Sequence, residues 1–334
     1  MKRTASAVRF YLRRNGPTLG RLASTLPRSQ AGFSVRQALE YTAVRVFLFG
    51  LGVLPRRAAR AVGLGLGLVA WAVLPRLRRV GWRNLALALP ERKRRDHRSI
   101  LLRSFLAQGL QLAEFAQMRK YSPRQAQGFI RYEGLQNYLA SRDRGRGVLV
   151  LTAHLGAWEL SSFFHSLMGY PMGLVIRRLD NARVDRLVNG IRTLHGNRVL
   201  HKDDFARGLL KAMHQGETVG ILMDTNMTPP QGVFVPFFGV EACTASGLAR
   251  VAQRSGAAVL PGFLLWERDE QRYVLHFGPE LDLVRTGDAE ADALANTALF
   301  TRTLEDYIRR YPEQWLWVHR RWKTRPPGQD SLYA

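Results

Sequence analysis

Cysteine is almost absent from this 334-residue chain, with Cys243 standing alone. One thiol excludes an internal disulfide and a cysteine-rich zinc site, and it is compatible with a reducing compartment. Acidic residues are also scarce: 26 Asp and Glu face 50 Lys and Arg, a formal charge of +24. Such a field favours anionic partners, whether nucleic acid, anionic lipid or an acidic protein. Long apolar runs are missing too. Val62 to Leu74 is apolar throughout, but its thirteen residues make only about 20 Å of helix against a hydrocarbon core of roughly 30 Å. There is no Gly-x-Ser-x-Gly elbow, no Walker-type phosphate loop and no His-Glu-x-x-His zinc motif. There is no internal repeat. Zinc-finger spacing and an RNA-recognition aromatic motif are absent as well, which argues against a nucleic-acid-binding module despite the charge. The hydrophobic fraction of 46% fills a sizeable core and argues against general disorder.

What is present changes along the chain. Residues 1–34 read as a basic extension, acid-poor, without the compact apolar core of a secretory signal. Residues 35–140 read as a helical region. Ala43 to Leu54, interrupted by Arg45, and Val62 to Leu74 are flanked by arginines; residues 75–103 hold ten Lys and Arg against Glu91 and Asp96. An interfacial or re-entrant helical pair, with arginines at headgroup level, fits this better than a full span; a buried core helix is the alternative. From Arg98 to Met118 the spacing predicts an amphipathic helix with Leu101, Phe105, Leu112 and Phe115 on one stripe.

Residues 141–325 alternate strand and helix signals, with 326–334 as a tail. Val148–Leu151, Leu174–Ile176, Thr218–Met223, Ala257–Leu265 and Arg272–Phe277 read as strands. Asp203 or Asp204 caps a helix ending near Gly216, Thr244 caps one running to Ser255, and Ala291 to Arg310 is a long amphipathic helix. Alternation of this kind predicts an α/β fold with a mostly parallel central sheet flanked by helices.

The most informative segment is His154-Leu155-Gly156-Ala157-Trp158-Glu159, directly after the apolar run 148–151. On one uninterrupted helix, side chains five apart diverge by about 140°. With His154 in the turn before the helix, Glu159 can reach one imidazole nitrogen and leave the other for a substrate, as a general base requires. The plainer reading is a structural histidine beside a first-turn acid favoured by the helix dipole. Arg177 follows a short strand, and Asp224 ends another at the edge where α/β sheets place ligands. The block Val233-Phe234-Val235-Pro236-Phe237-Phe238-Gly239 reads as an apolar loop leading to Thr244, one that either lines an acyl groove or caps the core. Trp315, Trp317 and Trp322, interleaved with Arg320, Arg321 and Lys323, read either as a lipid or carrier contact or as an inward-packing strand. Cys243 reads as a packing residue.

Taken together, the His-x4-Glu block, Arg177, Gly196-Asn197, Gly216, Met223-Asp224, the Val-Phe-Val-Pro-Phe-Phe-Gly block, Thr244 and residues 311–323 resemble, in that order, the bacterial lipid A biosynthesis acyltransferases, relatives of the glycerolipid acyltransferases. The resemblance covers about residues 40 to 325. It implies acyl transfer from an acyl carrier protein or related thioester to a hydroxyl of an anionic glycolipid. The membrane surface would be a further partner, at the cytoplasmic face of a bacterial inner membrane. No nucleic acid, cofactor or metal is expected. His154 would be the base and Glu159 its orienting partner. Arg177, Asp224, Gly156, Phe237 and Thr244 would contact substrate, with backbone N–H groups after Gly156 or Arg177 facing the oxyanion. Thr225, where many members carry Gln, is a departure that bears on the acceptor. Another acceptor, such as a phosphoinositide mannoside, lysophospholipid or aminolipid, is the alternative within the same chemistry.

Overall fold

A computed structural model of the protein describes residues 34–201 and 205–333. The basic extension therefore lies almost wholly outside the described residues, as do the expected caps Asp203 and Asp204. The chain divides into two compact units, residues 1–40 and 41–334. In the first, Arg36 pairs with Glu40 one helical turn on.

Four helices come first: α1 (Val35–Val53), α2 (Arg56–Val73), α3 (Pro75–Ala88) and α4 (Arg94–Gln117). Helices α2 and α4 cross with almost no side chain between them. Gly63 and Gly67 of α2 face Gly109 of α4, and a Cβ on Gly109 would lie 2.0 Å from the Gly63 carbonyl oxygen. The glycines thus give α2 its inward face, while Leu64, Leu68, Val69 and Val73 point outward and are exposed. Buried Glu114 of α4 ties the crossing together. It accepts from Arg56 at 2.6 Å, Arg60 at 2.5 Å and the Tyr121 hydroxyl at 2.7 Å, so that its charge is compensated where water is excluded. Of the expected apolar stripe on α4, Leu101, Phe105 and Phe115 are buried, but Leu112 is 38% exposed, at an apolar recess it shares with Leu66 and Ala70 of α2. Among the described residues no single helix is long and apolar enough to cross a membrane. Helices α2 and α3, bent by 88°, have that length and composition only as a pair.

After the short α5 (Pro123–Gln127) come β1 (Ile130–Glu133), α6 (Leu135–Arg142), β2 (Val148–Thr152), α7 (Trp158–Leu167), β3 (Gly173–Ile176), α8 (Ala182–Arg192), β4 (Arg198–His201), α9 (Phe205–His214) and β5 (Thr218–Leu222). A hairpin, β6 (Gly232–Phe237) and β7 (Val240–Ala245), then α10 (Gly247–Ser255), β8 (Ala258–Glu267), β9 (Arg272–Phe277) and α11 (Ala289–Arg310) complete the order. The main sheet has seven strands in the order β1-β9-β8-β2-β5-β3-β4. From β8 to β4 every pairing is parallel; β9 turns back antiparallel against β8, with β1 alongside it. The α/β expectation with a mostly parallel, helix-flanked sheet therefore holds. The central strands read as continuous apolar runs because helices cover both faces.

Three expectations are corrected. The sheet begins at β1, within the region read as helical up to residue 140; four residues between breakers carry little periodicity. Residues 233–239 are not a loop but strand β6 and the turn of the β6–β7 hairpin, closed by Phe238 and Gly239 at φ +54° and +73°, the two positive values that a two-residue hairpin turn needs. Thr244 lies in β7 and does not cap α10, whose N-cap position is Ser246.

Candidate active site

Strands β2 and β5 are parallel neighbours, and Thr152 stands opposite Leu222. Two residues beyond that pair, each chain carries its polar group: His154 after β2 and Asp224 after β5. The register alone brings them to the same carboxyl edge of the sheet, where open α/β folds bind ligands. There His154 Nδ1 lies 2.9 Å from Asp224 Oδ1, and the His154 backbone N–H donates to Oδ2 at 2.9 Å. The Trp315 indole N–H donates to the same oxygen at 2.8 Å. Asp224 is 3% exposed. Burial pushes its carboxyl up, but the neighbouring His154 charge and the three N–H donors outweigh this and hold it well below the ordinary carboxylate range. An ionised Asp224 places the ring proton on Nδ1 and the lone pair on Nε2.

Glu159 does not orient His154. It sits in the first turn of α7 and accepts from both Arg192 Nε (2.9 Å) and Arg192 Nη2, a two-pronged pair with the last turn of α8. The reason is geometric: His154 is held in the turn by Asp224, while α7 aims the carboxylate towards α8. The Trp158 ring lies 5.0 Å from that of His154 and edge-on to it.

The other residues expected at the site disperse. Arg177 is exposed after β3 and faces Asp180 at 3.3 Å. Phe237 is fully buried against Trp315 and Trp322, so it caps the core. Thr244, also fully buried, donates to Ala242 O and accepts from Arg321. Gly156 has φ +67°, and a Cβ there would lie 2.1 Å from Leu264 O, so glycine is required for the turn. Its N–H donates to Gln314 O and that of Ala157 to Leu264 O; both are therefore already used and cannot face an oxyanion.

The C-terminal block singled out in the sequence packs inward at this site. Trp315, Trp317 and Trp322 are all buried; they make neither a strand nor a lipid-facing surface. Arg321, fully buried, donates to Cys243 O at 2.9 Å and to Thr244 Oγ1. Burial pulls its guanidinium down to about 10, with the Asp224 charge opposing. His319 Nε2 accepts the Asn226 N–H at 3.2 Å, which leaves its proton on Nδ1, and burial keeps it below the ordinary histidine value. A half-open groove runs beneath α7 from this edge down the sheet, lined by Thr152, Trp158, Leu222, Val150, Leu174 and Met172. Its walls are largely apolar, and the Glu159–Arg192 pair borders it.

Residues 30–324 match the family model of the bacterial lipid A biosynthesis acyltransferase. The chain is 30% identical over 295 residues to the lipid A biosynthesis palmitoleoyltransferase of Escherichia coli (strain K12), covering 85% of this chain and 93% of that protein. It is 30% identical over 291 residues to the lauroyltransferase of the same pathway and organism, with the same shares covered, and 24% identical over 284 residues to the myristoyltransferase, covering 85% and 87%. Those relatives act with three different acyl chains by name, so acyl transfer is what they share, and this chain belongs to the bacterial lipid A biosynthesis acyltransferase family.

Proposed function

We propose that the protein transfers a fatty acyl chain from an acyl carrier protein, or a related thioester, to a hydroxyl of a lipid A-type glycolipid precursor, with His154 as general base and Asp224 as its orienting carboxylate. The observation that carries this is the 2.9 Å contact between His154 Nδ1 and Asp224 at the carboxyl edge of the sheet, beside an apolar cavity. Nε2 takes the proton of the attacking alcohol as the C–O bond forms on the thioester carbon. The imidazolium is stabilised by the buried carboxylate. When the tetrahedral intermediate collapses, the C–S bond breaks and the imidazolium returns its proton to the departing thiolate. The cavity beneath α7 takes the donor chain. With the N–H groups of Gly156 and Ala157 occupied, the next first-turn N–H groups of α7, from Trp158 on, have no acceptors within the helix and supply the oxyanion donors.

The protein works at the cytoplasmic face of the bacterial inner membrane. This is supported by the outward row Val46, Phe49, Val53, Val62, Leu68 and Val69 on α1 and α2, bordered by arginines. Such a surface lies in the headgroup boundary and is drawn to anionic lipid; the same basic surface suits an acidic carrier protein.

The test supplies purified protein with acyl-carrier thioester and an underacylated lipid A precursor. Wild type adds one ester, and His154→Ala loses several powers of ten in turnover while keeping its melting temperature. Near-normal turnover by His154→Ala would remove the assigned base. A deletion strain whose lipid A acyl count is unchanged while another lipid is altered would move the acceptor to that lipid.

A further inference from the structure

The segment Gly156–Trp158 separates two apolar recesses. Trp158 lines the cavity beneath α7. On the other side, Gly156 and Ala157 line a second, half-open recess between α4 and the β8 edge, with Leu64, Leu106, Leu110 and Trp266. It opens beside α2, next to the outward apolar row. Within it lies one polar group that the fold does not use. Gln111 is 8% exposed, and its Oε1 has no hydrogen-bond partner among the described residues. A buried amide atom without a partner is costly, and in a settled core it would be replaced by an apolar group of similar size. At the rim stands Arg103, with no ion-pair partner among the described residues, whereas Arg268 is paired with Glu313 at 3.1 Å.

We propose that this recess binds an acyl chain of the acceptor lipid, and that Gln111 recognises a hydroxyl carried by that chain, distinct from the hydroxyl that is acylated. The apolar walls select a hydrocarbon. The amide selects one polar substituent along it. A hydroxyl both donates and accepts, so it satisfies the Gln111 amide whichever way its oxygen and nitrogen point. Arg103 suits the anionic head of the same lipid. A plain saturated donor chain would leave the amide unpaired and belongs in the cavity beneath α7, where no such group is orphaned. The two chains then approach the His154 turn from opposite sides. This rests on the acyltransferase reading for the identity of the lipid, but the binding itself requires no turnover.

The test uses the full-length protein in neutral detergent and reads tryptophan quenching by a brominated long-chain fatty acid. Trp266→Phe removes the signal from the recess; Trp158→Phe removes that from the cavity beneath α7. Competitors are a long-chain hydroxy fatty acid and its unsubstituted analogue. In the wild type the hydroxylated acid displaces the probe from Trp266 at a concentration roughly 3- to 10-fold lower than the plain acid, the worth of one net hydrogen bond. Gln111→Leu abolishes that preference and keeps the wild-type melting temperature; Gln111→Met, which likewise lacks the amide, behaves in the same way. Equal potency of the two acids in the wild type, a preference that survives both substitutions, or quenching that survives Trp266→Phe would overturn the assignment. Hydroxyl preference without acyl transfer in the turnover assay would leave this site standing and sink the proposed function. Acyl transfer without the preference would do the reverse.

Discussion

Asp224→Asn isolates the contribution of the buried carboxylate. Asp224 accepts three N–H groups: the His154 ring at 2.9 Å, the His154 backbone at 2.9 Å and Trp315 at 2.8 Å. Asparagine keeps the shape but offers a single oxygen. If that oxygen serves the Trp315 and His154 backbone donors, the NH2 group faces Nδ1. The ring must then accept at Nδ1 and carry its proton on Nε2, the tautomer that cannot take a proton from an alcohol. The charge that stabilises the imidazolium is lost as well. At an effective dielectric of about 20, opposite charges some 3 Å apart are worth about 5 kcal/mol, which corresponds to a loss of about 10^3–10^4-fold in kcat. The same substitution in serine hydrolase triads costs about 10^4-fold. The assay is kcat with acyl-carrier thioester and glycolipid precursor, alongside a melting curve. The sign of the pH linkage sets the conditions. A carboxyl whose folded value is depressed adds stability that is complete above its unfolded value of about 3.9 and is lost as pH falls through the folded value. Both proteins are therefore compared near neutrality, where the contribution is whole. A variant that folds and keeps kcat within tenfold of wild type would refute the pairing of His154 with Asp224 as the catalytic unit.

Three further outcomes follow from other parts of the fold. Glu159→Arg and Arg192→Glu each place like charges between α7 and α8 and reduce activity through that packing; combined, the reversed pair recovers at least tenfold over either single variant, and a double variant no better than the singles would contradict a positioning role. His165 is fully buried among Tyr132, Tyr138, Tyr170 and Phe277, and burial pulls its pKa down to about 3; because the unfolded chain binds that proton first, stability declines by up to about 1.4 kcal/mol per pH unit as pH falls below about 6.5 towards 3. His165→Phe flattens part of that slope in urea midpoints measured from pH 7 to 5, and an unchanged slope would remove His165 as its source. Gly109→Ala forces a methyl against the Gly63 carbonyl and costs roughly 1–3 kcal/mol, read as a lowered melting temperature, whereas Gly65→Ala, with open space at its Cβ, is neutral or slightly stabilising.

The sequence by itself determined the class of fold and one end of the site. The apolar runs before His154 and Asp224 are long enough to be strands, and both stop at a polar residue, so the carboxyl edge of a parallel sheet was legible from local pattern. The family was legible because its blocks fall in order along the chain. The partner of His154 was decided only by tertiary structure. Glu159 is the nearest acid along the chain, but the α7 helix turns it to Arg192. Asp224 lies seventy residues away and arrives through the register of β2 against β5, a quantity set by packing on both faces of the sheet. The two recesses on either side of Gly156–Trp158 were equally hidden, and the tryptophans of the C-terminal block, conspicuous in the sequence, did not reveal that Trp315 reaches Asp224. Periodicity records which face of an element is apolar; it does not record which other element will cover that face, and a cavity exists only where two such faces fail to meet.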